Sequence, residues 1–258
     1  MKPLVSLVIP SYNSAEEMPQ TLRTVQAYFA KQSYVHEVIV VNDGSQDHTA
    51  ATLKALAEDY PELVALHNDL NMGKGYSIRR AILESSGRYV FYTDADLAYP
   101  IEELECFLTP LMAGLYDVSV GSRVHEASSF CLHPRYFRYV YRRHVMSRFF
   151  NWLVRASLGL HVMDTQCGFK GFTARAAKNI FSQVRLSGFA FDVEALLLAQ
   201  RLDLRIIELP VTFRYSGEVS TVKIIQNACQ ALFDLSRVYQ WDQRGLYQRN
   251  DQGFLPRA

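Results

Sequence analysis

The first half of the chain alternates between two hydropathic patterns. Short runs rich in β-branched residues occur at 4–9 (LVSLVI), 37–41 (EVIVV), 63–67 (LVALH), 88–93 (RYVFYT) and 117–121 (DVSVG). Between them, residues 15–31, 47–59, 74–86 and 101–113 carry helical patterns. Continuous apolar strands alternating with helices predict an α/β fold with a parallel, doubly wound sheet covered on both faces. Ligands of such sheets gather beyond the carboxyl ends of the strands.

The second half reads differently. Residues 133–160 (HPRYFRYVYRRHVMSRFFNWLVRASLGL) are basic and aromatic. At 100° per residue their apolar side chains fall all round, so no two-faced helix is predicted. Arg143 and Ser147 lie four apart and share a helical face. A helix is predicted over 187–202 with Asp192 and Glu194 in its first turn, where acids suit the positive end of the helix. A last strand over 206–215 precedes a helix over 222–240, whose apolar stripe is Ile225, Ala228, Cys229, Leu232, Leu235 and Tyr239.

Composition narrows the classes. With 258 residues, 49% of them hydrophobic, the chain can bury a sizeable core. A formal net charge of +1 argues against a nucleic-acid partner. Between Arg123 and Arg155, however, seven arginines face a single acid, Glu126, and no lysine. The bidentate guanidinium fork suits phosphate. Cys106, Cys131, Cys167 and Cys229 form no CxxC pair and read as reduced thiols. No secretion signal is read in the opening residues. No apolar run approaches the roughly eighteen residues that span a bilayer. The expected location is the cytoplasm, peripherally at the cytoplasmic face of a membrane.

Polar residues follow several strand ends. The first run leads into PSYNS, with Pro10, Tyr12 and Asn13; the second into NDGSQDHT; the third into NMGKG; the fourth into Asp94-Ala95-Asp96. In an extended chain Asp94 and Asp96 point to one side, and two like charges there call for a cation between them. The alternative is a solvated strand end with Asp96 capping the next helix. Asp47 reads as a helix N-cap. Asp43, ending a buried strand, can accept hydrogen bonds from a base or ribose. The GKG segment lacks the spaced glycine and Lys-Ser/Thr ending of a P-loop, which leaves Lys74 as a lesser candidate.

Together, SLVIPSYN, EVIVVNDGSQDHT, NMGKG, TDADL, VGSR and DTQCGFKGFT resemble, in order and spacing, glycosyltransferase family 2. The resemblance covers about residues 4–225 and is nearest to the polyprenyl-phosphate (dolichyl-phosphate) hexosyltransferases. DTQCGFKGFTARAA followed by FAFDVEALLLAQ resembles the dolichyl-phosphate β-glucosyltransferases, which use UDP-glucose. The resemblance implies a GT-A type fold: a catalytic domain over 1–221, with a nucleotide-sugar half to about 121 and an acceptor half from 122, then a helix and tail over 222–258. It implies inverting transfer, with Pro10, Tyr12, Asn13, Asp43, Lys74 and Asp94 at the nucleotide sugar. Asp94 and Asp96 would hold Mg2+ or Mn2+, with Asp96 as the metal ligand. Arg123, Arg143 and Ser147 would grip the acceptor phosphate, Arg123 also acting in catalysis. Asp192 is the candidate base, or the group that orients the nucleophile. The implied partners are the nucleotide sugar, a polyprenyl phosphate, an anionic membrane surface and a separate membrane protein.

Two positions depart from the family's pattern. Ser14 stands where relatives usually have Glu, with Glu16 and Glu17 nearby. Ala98 stands where mannosyl relatives often have Gln, leaving the third metal ligand unassigned. The rival readings are mannosyl transfer from GDP-mannose, transfer to a saccharide hydroxyl, and a non-catalytic nucleotide-sugar binding module.

Overall fold

The computed structural model describes residues 2–215 and 224–247, with all their side chains except those of Arg143 and residues 224–229. The first half follows the expected rhythm: β1 (Val5–Ser11), α1 (Met18–Phe29), β2 (His36–Asp43), α2 (Thr49–Asp59), β3 (Leu63–Asn68), α3 (Lys74–Glu84), β4 (Tyr89–Tyr92), a 3-10 turn and α4 (Leu104–Met112), and β5 (Val118–Ser122). There follow β6 (Ser129–Leu132), α5 (Phe137–Leu158), β7 (Lys170–Thr173), α6 (Ala174–Phe181), α7 (Phe191–Arg201), β8 (Ile206–Pro210), β9 (Thr212–Tyr215) and α8 (Ile224–Gln243).

Seven strands form the main sheet in the order β3-β2-β1-β4-β7-β5-β8. Val8 pairs with Ile39 on one side and Tyr92 on the other, both in parallel register. Alternate residues feed two cores. Val5, Leu7 and Ile9 pack with α1 and α4 through Leu22, Val25, Leu104 and Phe107. Val8, Ile39 and Tyr92 pack on the opposite face with Ile78, Phe181, Phe191 and Leu196. Both faces are buried, which is why the strands read as unbroken apolar runs.

The sheet differs from a wholly parallel one at β7, which lies antiparallel between β4 and β5. Four residues, Lys-Gly-Phe-Thr, carry too little pattern to announce a strand; the slot between two open edges makes them one. The expected strand over 206–215 breaks at Val211, and its second part, β9, pairs with β6 in a separate two-stranded sheet.

Helix α5 shows why no single apolar face was legible. It has two. Val154, Leu158 and Asn151 are buried against the body, whereas Phe137, Tyr141, Val145, Phe149 and Trp152 recur at helical spacing on an exposed stripe. In α8 the buried face carries Leu235 and Val238; Leu232 and Tyr239, expected in the same stripe, are exposed. Ile225, Ala228 and Cys229 lie outside the described side chains.

Candidate active site

The rim is built where β1, β2 and β4 end. The loop after β1 is laced to the loop after β2. Asn13, at φ +52°, accepts from Gln46 N–H at 2.9 Å and donates its own N–H to Ser45 Oγ at 2.9 Å. Ser14 N–H reaches Thr49 Oγ1 at 2.9 Å and Ala15 N–H reaches Asp47 Oδ2 at 3.1 Å. Asp47 also receives Thr49 N–H, although His48, not Asp47, holds the N-cap position of α2. Pro10 lies in β1, opposite Val41, and Tyr12 presents an exposed ring on this loop.

Asp43, expected to accept hydrogen bonds from a base or ribose, already accepts them from the protein. Its buried carboxylate accepts from Asn68 Nδ2 (2.7 Å), Met72 N–H (2.9 Å) and Gly73 N–H (2.8 Å). It thereby anchors the β3–α3 connection, in which Gly73 sits at φ +94°, a conformation that favours glycine. A base or ribose at Asp43 would have to share a carboxylate that already holds three donors.

The acidic pair also needs correction. Strand β4 stops at Tyr92, and Asp94 to Leu97 form a turn closed by Leu97 N–H on Asp94 O at 3.2 Å. The same-side argument for an extended chain therefore does not apply. Thr21 Oγ1 ties the turn to α1 through Ala95 O at 2.6 Å, and Asp96, exposed, accepts from Ala98 N–H at 3.0 Å rather than capping the following helix. Lys74, the first residue of α3, donates to Asp94 Oδ1 at 2.5 Å. Burial works against the Lys74 ammonium, but Asp94 and Asp192, with a smaller contribution from Asp96, outweigh it and hold its pKa above the ordinary lysine value. Lysine is thus the internal counter-charge of this turn. Gly168 packs on the same carboxylate: a Cβ there would lie 2.2 Å from Asp94 Oδ2.

Behind Lys74 sits Asp192, buried in the first turn of α7. Its Oδ1 accepts from Lys170 Nζ at 2.6 Å and from the Tyr92 hydroxyl. Lys170 is fully buried and donates also to Cys167 O at 2.5 Å. Tyr92 and Lys170 are paired across β4 and β7, so the antiparallel strand delivers the lysine to the acid. Burial and the Asp192 charge push the Tyr92 phenol well above its ordinary value, keeping it a donor. Sequence reasoning passed over Lys170; the signal was a lysine inside an apolar strand-length run, GFKGF.

The acceptor-side residues divide. Arg123 is clamped by Asp164 through its backbone N–H (2.9 Å), Nε (2.7 Å) and a terminal guanidinium nitrogen (2.8 Å). Burial alone would raise the Asp164 carboxyl, but hydrogen bonds and charge from Arg123 bring it below the ordinary carboxylate range. Arg123, Asp164 and Ser147 line one small recess together with His144, Arg148 and Asn151. Arg143 belongs to α5, but its side chain lies outside the described residues. Asp164, His144 and Arg148 were not singled out in the sequence. Asp164 opens the DTQCG motif, and that was the available signal. Among the described residues no group of three or more His, Cys, Asp or Glu is placed to hold a metal ion. Asp94 and the exposed Asp96 supply two hard oxygen donors, a set that fits Mg2+ or Mn2+ completed by phosphate oxygens and water.

A sheet of this order, with an Asp-Ala-Asp turn at the end of β4 and a short antiparallel strand beside it, has the architecture of a GT-A glycosyltransferase. Solved structures bear out the fold. Glucosyl-3-phosphoglycerate synthase from Mycobacterium tuberculosis, in complex with UDP, aligns with a TM-score of 0.65 at 16% identity over 92% of this chain and 80% of that one. The mannosyltransferase PcManGT from Pyrobaculum calidifontis, in complex with GDP-Man and Mn2+, aligns with a TM-score of 0.54 at 18% identity over 86% and 59%. The chain belongs to glycosyl transferase family 2, whose profile matches residues 6–181, and it is an enzyme of the glycosyltransferase class. A dolichyl-phosphate beta-glucosyltransferase of Trichomonas vaginalis is 30% identical over 97% of this chain and 75% of its own length. The dolichyl-phosphate beta-glucosyltransferase of Homo sapiens is 33% identical over 81% and 67%.

Proposed function

We propose that this chain transfers glucose from UDP-glucose to a polyprenyl phosphate of the dolichyl type, with inversion, at a membrane surface. The observation that carries this reading is continuity between the two halves of the site. Asp164 clamps Arg123 at the recess, and Gly168 packs on Asp94 at the acidic turn. Four Cα steps separate them, at most about 15 Å of chain. A donor diphosphate at the turn and an anionic acceptor at the recess are thus held by one short segment. The relatives named above act on dolichyl phosphate by name, which supports the same acceptor.

The chemistry follows from the residues. A phosphomonoester has a second pKa near 6 and is already nucleophilic at neutral pH, so it needs positioning and charge neutralisation rather than a base. Arg123, Arg143 and Ser147 serve that task. Asp192, held on one oxygen by Lys170 and Tyr92, orients the attacking group; for a hydroxyl acceptor it would be the general base. Tyr12, Asn13, Pro10 and Asp43 border the base and ribose. Lys74 stands beside the diphosphate. Asp94 and Asp96 would hold Mg2+ or Mn2+, which supplies charge neutralisation to the departing diphosphate.

No helix among the described residues is long and apolar enough to cross a membrane. The exposed stripe of α5, with Phe149 66% and Trp152 61% exposed and arginines interleaved, supports attachment to an anionic lipid surface. A separate membrane protein remains a proposed partner on the sequence reading alone.

The test is turnover of UDP-glucose against GDP-mannose, with and without a polyprenyl phosphate, for the native protein, Arg143→Ala and Asp192→Asn. The expected result is glucose transfer that requires the lipid phosphate and falls at least about tenfold in Arg143→Ala, the loss of one charged hydrogen bond. A severe loss of transfer in Asp192→Asn protein that is still folded by circular dichroism, beside a silent Arg143→Ala, would instead assign a hydroxyl acceptor.

A further inference from the structure

Of the three residues proposed to hold the acceptor phosphate, Arg123 contributes little free charge. Its charge is already met by Asp164 through the paired side-chain bonds and reinforced by the backbone N–H. Among the described side chains, which exclude that of Arg143, the other arginine lining the recess is Arg148, on α5, and it has no ion-pair partner among them. His144 lies one turn earlier on the same helix, spaced i to i+4 from Arg148, with Ser147 between them in sequence. Its ring stands edge-on to Phe130 of β6, centroids 5.6 Å apart, which leaves the imidazole on the recess wall.

We propose that Arg148 and His144 complete the phosphomonoester site, Arg148 as the uncompensated charge and His144 as a second donor, while Arg123 and Asp164 form its fixed floor. The inference rests on the phosphate acceptor proposed above and adds two side chains to it. Among the described side chains, three charged groups act on the imidazole: Arg123 following β5, Arg148 on α5 and Asp164 on the segment after α5. Burial, then Arg123 and Arg148, keep the His144 pKa below its ordinary value, and Asp164 opposes them weakly. The ring is therefore neutral at pH 7 with no anion present. A dianion set between the two arginines reverses their effect on the ring and favours its protonation. Binding of the acceptor then takes up a proton.

Arg148 also borders the exposed stripe of α5, so the same guanidinium could meet either a phosphomonoester or the phosphodiester headgroup of a bilayer. The experiment separates these sources. Citronellyl phosphate, a short soluble monoester, is titrated into the native protein and into Arg148→Ala and His144→Gln, by calorimetry in two buffers of different ionisation heat and by NMR of the histidine ring. Flotation with anionic liposomes is measured in parallel, without the monoester. The expected outcome is at least about tenfold weaker monoester binding in Arg148→Ala, roughly the loss of one charged hydrogen bond. Proton uptake is expected in the native protein and absent in His144→Gln. The His144 titration moves to higher pH when the monoester binds, and flotation of Arg148→Ala changes less than twofold. Unchanged monoester affinity with lost flotation would hand Arg148 to the bilayer and overturn the proposal, as would no change in either. Monoester bound through Arg148 in a protein that transfers no sugar would refute the proposed function and leave the recess standing.

Discussion

Lys170 Nζ lies 2.6 Å from Asp192 Oδ1, with the lysine side chain fully enclosed and the acid nearly so. Removing one member leaves the other as an uncompensated buried charge, at about 3–5 kcal/mol. Lys170→Met is therefore expected to lower the urea midpoint strongly. The double variant Lys170→Met with Asp192→Asn is expected to recover most of that loss while remaining impaired in transfer. A double variant no more stable than Lys170→Met would show that the pair is not the cause.

Asp96 is exposed on the turn after β4 and carries the proposed metal. Asp96→Asn is isosteric, so its fold and thermal midpoint are expected to stay near those of the native protein while transfer is abolished. Chelation with EDTA is expected to do the same reversibly, with Mn2+ or Mg2+ restoring turnover. Full activity in EDTA would remove the metal from the mechanism.

We propose that the outer stripe of α5 carries the membrane attachment. Salt-sensitive flotation with anionic liposomes is expected, since apolar area and charge both contribute and charge is screened. Phe149→Ser with Trp152→Ser is expected to weaken it without loss of stability, because both side chains face outward. Flotation indifferent to these changes would move the contact elsewhere.

The Arg123–Asp164 clamp carries a pH signature. The Asp164 carboxyl is depressed below its ordinary 3.8, Arg123 overcoming the effect of burial. A depressed acid stabilises the fold above its unfolded pKa and loses that contribution as pH falls through the folded value. Asp164→Asn is expected to be less stable than the native protein at pH 7, by about 1.5–3 kcal/mol. The two are expected to converge as pH falls from 3.8 through the lower, folded value, as the native protein surrenders the same contribution. Parallel stability curves down to pH 2 would contradict the assignment.

Much of the fold was legible because local patterns carry it. The five β-branched runs and their intervening helices follow from burial on two faces, and that burial is written residue by residue in Val5–Ile9 and Val38–Val41. The family, too, was legible, since PSYN, NDGS, DAD and DTQCGFKGF keep their order along the chain. What the sequence could not show was pairing between distant segments. Lys-Gly-Phe-Thr becomes β7 only because β4 and β5 leave a slot. Asp43 reads as an acceptor for a base or ribose until Met72 and Gly73 fold onto it. Lys74 reads only as a lesser candidate at a helix start until Asp94 stands 2.5 Å away. Arg123 and Asp164, forty-one positions apart, acquire their pairing in the same way. Hydrophobic periodicity is a property of neighbours and survives in one dimension. Charge compensation depends on distances across the fold, and only tertiary structure sets those.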